Sequence, residues 1–184
     1  MILSFCQKNE NFQYIKEDDG KIEYSIKRTI LNGSVFVDEK NISPDKDFAS
    51  RISTDTFRIR KSNWYVKEFG KYQLFLGPES FLKDSLVIQL DLAAKRSDLG
   101  FWNDSQTVYP FSYIYRPKKK IFVGNGKSVY VYNSTYYIYG QEADFSSPET
   151  IYFDPEIGVV KTFSLTTGEI ILKDYPYLDS LKIE

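Results

Sequence analysis

The feature that most constrains this chain is the alternation of apolar and polar side chains, broken roughly every 8–12 residues by a turn signal. A side chain that changes sides at each residue can bury a continuous row only in a pleated strand, so the pattern predicts antiparallel hairpins. Over 21–31, Ile22, Tyr24 and Ile26 alternate with polar neighbours, and Ile30 follows after Lys27, Arg28 and Thr29. Asn32-Gly33 then leads into Val35, Phe36 and Val37. Asn-Gly favours a type I′ turn, whose two positive φ angles match the twist of paired strands. Phe57 and Ile59 alternate with Arg58 and Arg60; turns at Lys61-Ser62-Asn63 and Phe69-Gly70 separate them from 64–67 and 72–76, a three-strand meander.

After Gly77-Pro78 the pattern is ambiguous. Leu86, Ile88, Leu90 and Leu92 alternate with Val87, Gln89 and Asp91, yet Phe81, Leu82, Leu86, Leu90 and Ala93 form a 3.6-residue stripe. Strand and helix both stay open over 81–96. Beyond it, strands are expected at 107–116, 119–124, 127–133 and 135–140, with Asn125-Gly126 as a second type I′ turn. A closing set is expected at 150–153, 158–165 and 169–173, with Thr166-Thr167-Gly168 as its last turn. The expected fold is all-β: an antiparallel sheet of about ten strands, as an open half-barrel, closed barrel or sandwich, with at most one or two short helices. An aromatic content of 17% suits half-buried strands. A chain of 184 residues buries one good core. The organisation expected is an N-terminal tail over 1–11, one β domain over 12–176 and a loosely attached C-terminal tail over 177–184.

Several chemistries are excluded by what the chain lacks. It has no histidine and one cysteine, which removes an internal disulfide, the usual zinc cages and every Ser-His-Asp or Cys-His mechanism. No cofactor or metal is expected. A formal charge of −1 provides no global field to draw the chain onto nucleic acid or anionic lipid. The basic run Lys118, Lys119 and Lys120, between Pro117 and Ile121-Phe122-Val123, reads as a solvated turn and strand start. The acids Glu142, Asp144, Glu149, Asp154 and Glu156 lie around Pro148 and Pro155 without EF-hand spacing, and read as solvated loops. Gly124-Asn125-Gly126 is too short for a phosphate loop. A histidine-free glycosidase would need two carboxylates across a sugar and a platform such as Trp64 or Trp102. No spacing singles out such a pair, and Trp64 reads as core.

The candidate ligand-binding residues are aromatic. Tyr109, Phe111, Tyr113 and Tyr115 share one side of a strand; Tyr130 with Tyr132, and Tyr137 with Tyr139, do the same in the strands that follow. Such a face can line a cavity for an amphipathic ligand or form a partner-binding surface. Cross-strand aromatic pairs that simply cover a sheet are the commoner use of this pattern.

Two stretches carry a resemblance. Met1-Ile2-Leu3-Ser4-Phe5-Cys6, followed by the polar run Gln7 to Asn11, resembles the end of a bacterial lipoprotein signal. Leu3 and Cys6 match the Leu-x-x-Cys spacing and Ser4 is small, while Phe5 departs from the small residue that pattern favours. The run Tyr152-Phe153-Asp154-Pro155-Glu156-Ile157-Gly158-Val159-Val160-Lys161, with Gly168-Glu169 after it, resembles the closing hairpin of bacterial envelope lipoproteins that carry no assigned activity. The resemblance implies a start upstream of Met1 or a trimmed signal, acylation at Cys6, and contact with the membrane only through that anchor. The expectation is a non-enzymatic envelope lipoprotein whose β domain binds an apolar small molecule or a protein partner. A cytosolic interaction or immunity-type module beginning at Met1, and a histidine-free carbohydrate-active enzyme, are the alternatives.

Overall fold

The computed structural model describes residues 8–16, 20–31, 34–41, 52–68, 70–90, 111–138, 149–165 and 168–182. Twelve strands make up one antiparallel sheet: β1 (Lys8–Lys16), β2 (Ile22–Leu31), β3 (Ser34–Asn41), β4 (Ile52–Arg60), β5 (Asn63–Glu68), β6 (Lys71–Leu74), β7 (Leu86–Leu90), β8 (Phe111–Gly124), β9 (Lys127–Ile138), β10 (Glu149–Asp154), β11 (Gly158–Ser164) and β12 (Gly168–Leu172). One helical turn, α1 (Pro78–Phe81), and a 3-10 turn at Leu178–Leu181 complete the described elements.

The sheet order is β6-β5-β4-β3-β2-β1-β12-β11-β10-β9-β8-β7. The chain therefore starts mid-sheet at β1, runs outward by hairpins to β6, crosses through α1 to the opposite end at β7, and returns by hairpins to β12. That crossing dictates the curvature. Eleven strand spacings of about 4.8 Å would make a flat sheet about 53 Å wide. The step from Leu74 to Leu86 reaches only about 42 Å even fully extended, and a helical turn shortens it. The sheet must curl to bring its ends together, giving an open half-barrel with β6 and β7 at its two ends.

The curl creates the core. Trp64 on β5 and Phe153 on β10 meet edge to face at 5.7 Å, and Phe75 packs on Phe57, Tyr115 and Phe153 at 5.5, 5.5 and 6.4 Å. Val35, Val66, Leu76, Leu86, Tyr132 and Ile151 fill the space around them. Along β9, Val129 and Val131 alternate with Tyr130 and Tyr132 and all four are buried, so that strand is covered on both faces. Val129, Val131 and Tyr152 belong to a second cluster with Tyr14, Val160 and Leu172, closed by Tyr175 and Leu181.

The closing set of strands lies where the alternation places it, and Asn125 and Gly126 have the positive φ of a type I′ turn, 49° and 71°. Lys61 and Ser62 adopt the same turn at φ 50° and 64°. Neither is glycine, so each left-handed residue costs about 1 kcal/mol, which the β4–β5 ladder offsets.

Five features differ from the sequence reading or decide what it left open. β1 begins at Lys8, inside the stretch read as a tail, and pairs with both β2 and β12. Residues 107–116 and 119–124 were expected as two strands, but 111–124 run as one, because Pro117 sits at a β-bulge where its missing N–H breaks no ladder bond. The basic run is therefore mid-strand rather than in a turn. Residues 127–133 and 135–138 likewise run on as one strand through Ser134. Of the two readings left open over 81–96, the strand is the one found over 86–90, with 91–96 outside the described residues. The C-terminal segment is not loose: Leu181 is 1% exposed and Tyr175 is 4%.

Candidate functional site

Of the eight aromatic residues proposed for ligand binding, three have described side chains. Tyr115, Tyr130 and Tyr132 are all buried, on neighbouring strands β8 and β9, and aromatic neighbours occupy their rings. Phe75 stands edge-on to Tyr115, and Phe81 of α1 packs on Tyr130 at 5.2 Å and Tyr132 at 5.8 Å. The hydroxyl of Tyr132 donates to the Gly77 carbonyl at 2.9 Å and lies 2.9 Å from Ser80 Oγ. Burial pushes that phenol up to about 12, with the bonds to Ser80 and Gly77 pulling the other way. These rings seal α1 onto the sheet. Phe111, Tyr113 and Tyr137 are placed by backbone only: the register sets Tyr113 opposite Tyr136, and Tyr137 opposite Ser112. Tyr109, Tyr139 and Cys6 lie outside the described residues, as do Trp102, Glu142 and Asp144.

The hairpin singled out by resemblance is a hub of internal contacts. The Asp154 carboxylate accepts the Glu156 N–H at 2.8 Å and the Tyr175 hydroxyl at 2.9 Å. Burial and the Asp154 charge push the Tyr175 phenol up. Trp64 Nε1 donates to the Pro155 carbonyl at 2.8 Å, and Tyr14 to that of Val159 at 2.6 Å. Gly158 takes φ +109°, and a Cβ there would meet the Trp64 ring at 3.2 Å, so only glycine fits. Arg28, 6% exposed on β2, donates to the Glu156 and Ile157 carbonyls at 3.1 and 2.8 Å and pairs with Glu10. Glu156 pairs with Lys127. Glu149 is bonded to Thr162, and burial is what raises its carboxyl. The three described acids of the loop cluster are thus committed to protein partners. Among the described residues no group of three or more potential ligands is placed to hold a metal.

Sequence reasoning missed Arg28, although its position carried a signal. It stands between Ile26 and Ile30 in one alternating row of β2, and a cation in such a row has to find buried acceptors.

One depression opens to solvent at the β4–β5 turn. Arg60, Lys61, Asn63, Tyr65 and Glu79 line it, over about 230 Å³. Asn63 Oδ1 accepts the Glu79 N–H at 2.7 Å, and the Tyr65 hydroxyl donates to the Glu79 carboxylate at 3.3 Å. Burial, then the Glu79 charge, raises the Tyr65 phenol. Ligand pockets run from roughly 300 to 1,000 Å³ and are mostly apolar. This depression is smaller, polar and lined by a single carboxylate, so its walls lack the paired acids of a glycosidase. Trp64, one of the two sugar platforms considered, is 4% exposed and packed in the core.

No family model, curated protein or solved structure matches the chain.

Proposed function

We propose that this chain is a non-enzymatic envelope protein, acylated at Cys6, whose β domain works by presenting a rigid outer surface to a protein partner. The observation that supports the surface mode is how the described residues fill the interior. Trp64, Phe75, Phe153 and Tyr115 interlock edge to face, and Phe81 stands edge-on to Tyr132 beside them. An apolar small molecule entering there would displace rings that hold the sheet closed, at a cost of several kcal/mol. The envelope location rests on the Leu3-Ser4-Phe5-Cys6 resemblance alone.

Two measurements test this reading. Titrating fatty acids and phospholipids against tryptophan fluorescence is expected to leave the emission unchanged, since Trp64 lies in the wall of the interior; a saturable shift would restore the apolar-ligand version. Expressing the gene with its own upstream sequence in a bacterial host and feeding an alkyne fatty acid is expected to label the wild type and not Cys6→Ser. Equal labelling of the two, or none, refutes the anchor and leaves the cytosolic interaction module as the better account.

A further inference from the structure

We infer that the outer half of the β8–β9 hairpin is a docking surface for an anionic membrane, with Phe122 as its inserting side chain and Lys118, Lys119 and Lys120 as its headgroup contacts. Charge in this protein is segregated. Residues 111–138 hold five of the 24 basic residues, Arg116, Lys118, Lys119, Lys120 and Lys127, and none of the 25 acids. Everything outside the hairpin therefore carries 19 cations against 25 acids. Lys127 is neutralised by Glu156 at the hairpin tip, whereas Arg116, Lys118, Lys119 and Lys120 are exposed.

The fold places an apolar group among these cations. Phe122 is 74% exposed, unusual for a phenylalanine, with Lys120 Nζ 4.9 Å from its ring centre. Lys120 Nζ also lies 5.5 Å from the centre of Tyr130, which packs on Phe81, and Phe81 is followed by the 87% exposed Leu82. An exposed ring with Lys120 against it and two further exposed lysines next to it in the strand matches the two layers of a lipid interface, acyl boundary beneath phosphate. Each lysine near an anionic surface contributes about a fivefold gain in binding.

The same stretch is poorly suited to two other partners. β7 pairs only with 111–115 of β8, so among the described residues no strand pairs with the outer edge of 116–124, while Val123 turns inward against the cluster closed by Tyr175 and Leu181. Strand addition there would meet Pro117, which has no N–H, irregularities at Pro117/Lys119 and Phe122/Gly124, and three lysines. Single-stranded nucleic acid needs successive stacking platforms, and Tyr130, the next ring, is 8% exposed.

The inference goes beyond the proposed envelope role, because it needs no acyl chain. Full-length chain purified without acylation, mixed with vesicles of phosphatidylcholine alone or of equimolar phosphatidylcholine and phosphatidylglycerol, should sediment only with the second, and less as salt rises. The triple variant Lys118→Glu, Lys119→Glu, Lys120→Glu should bind roughly 100-fold more weakly. Phe122→Ser should lose roughly tenfold, with the salt dependence unchanged. Unaltered circular dichroism and urea midpoints would show that both variants fold. Equal sedimentation with both vesicle types, indifference to both substitutions, or tighter binding to a single-stranded oligonucleotide than to the anionic vesicles would each overturn the inference.

Discussion

Replacing Arg28 with methionine is expected to destabilise the fold by about 3–4 kcal/mol, and the sum follows from what the guanidinium holds. Methionine keeps most of the packing of the aliphatic stem, so the loss lies in the polar head. Two carbonyls, Glu156 and Ile157, lose their donor, at about 1 kcal/mol each. Glu10 loses one of two cations but keeps Lys8 at 2.6 Å and retains 19% exposure of its side chain. Its loss therefore falls below the range for a fully buried broken pair, at about 1–2 kcal/mol. Urea unfolding followed by circular dichroism and tryptophan fluorescence measures the total; the latter is informative because the guanidinium lies 5.9 Å from the Trp64 ring centre. A double-mutant cycle with Glu10→Gln should return a coupling of about 1–2 kcal/mol. Burial pushes the Glu10 carboxyl up, but the bonds and charges of Lys8 and Arg28 outweigh it and hold it below its ordinary 4.5. A depressed carboxyl contributes stability that is fully present above 4.5 and lost as pH falls through the folded-state value. The gap between wild type and Glu10→Gln should accordingly close in that acid window. A cost under 1 kcal/mol for Arg28→Met, or zero coupling, would refute the idea that this side chain ties β1 and β2 to the β10–β11 turn.

Three further outcomes follow from the same contacts. Tyr132→Phe removes the bonds to Gly77 and Ser80 and should cost about 1–2 kcal/mol by urea unfolding. In the wild type the neutral phenols of Tyr132 and Tyr175 are favoured by folding, so their share of stability is present below the ordinary value of 10 and lost above it. Absorbance at alkaline pH should show both ionising together with unfolding, and one fewer in Tyr132→Phe. Gly77→Ala has nowhere to put its methyl group, with Asn63 at 2.7–2.8 Å and φ at +146°, so it should cost more than about 3 kcal/mol and lower the thermal midpoint accordingly. Leu181→Ala should cost about 2–4 kcal/mol by the same assay, as for any fully buried leucine, although only Lys182, Ile183 and Glu184 follow it in the sequence given.

What the sequence made legible is what depends on neighbours in sequence. Every hairpin closed by a short turn was readable because alternation and turn chemistry are local, as at Asn125-Gly126. β1 was not: only Phe12, Tyr14 and Ile15 are apolar in Lys8–Lys16, and part of what holds it is a ladder to β12, more than 150 residues away in sequence. The C-terminal segment carried a local signal, since Leu178 and Leu181 fall three residues apart, the period of the 3-10 turn they bound. The split of the aromatic candidates between two faces was hidden for a related reason. Taking Tyr132 and Tyr137 as members of separate strands hid their odd spacing along one strand, which gives them opposite parity in the β8–β9 register. Once β1 joins the two meanders and α1 links their far ends, the interior is fixed in width, and of the aromatic candidates Tyr115, Tyr130 and Tyr132 are consumed in filling it. Among the described side chains that this closure leaves outside are Phe122 and, against its ring, Lys120, and the proposed docking surface rests on them.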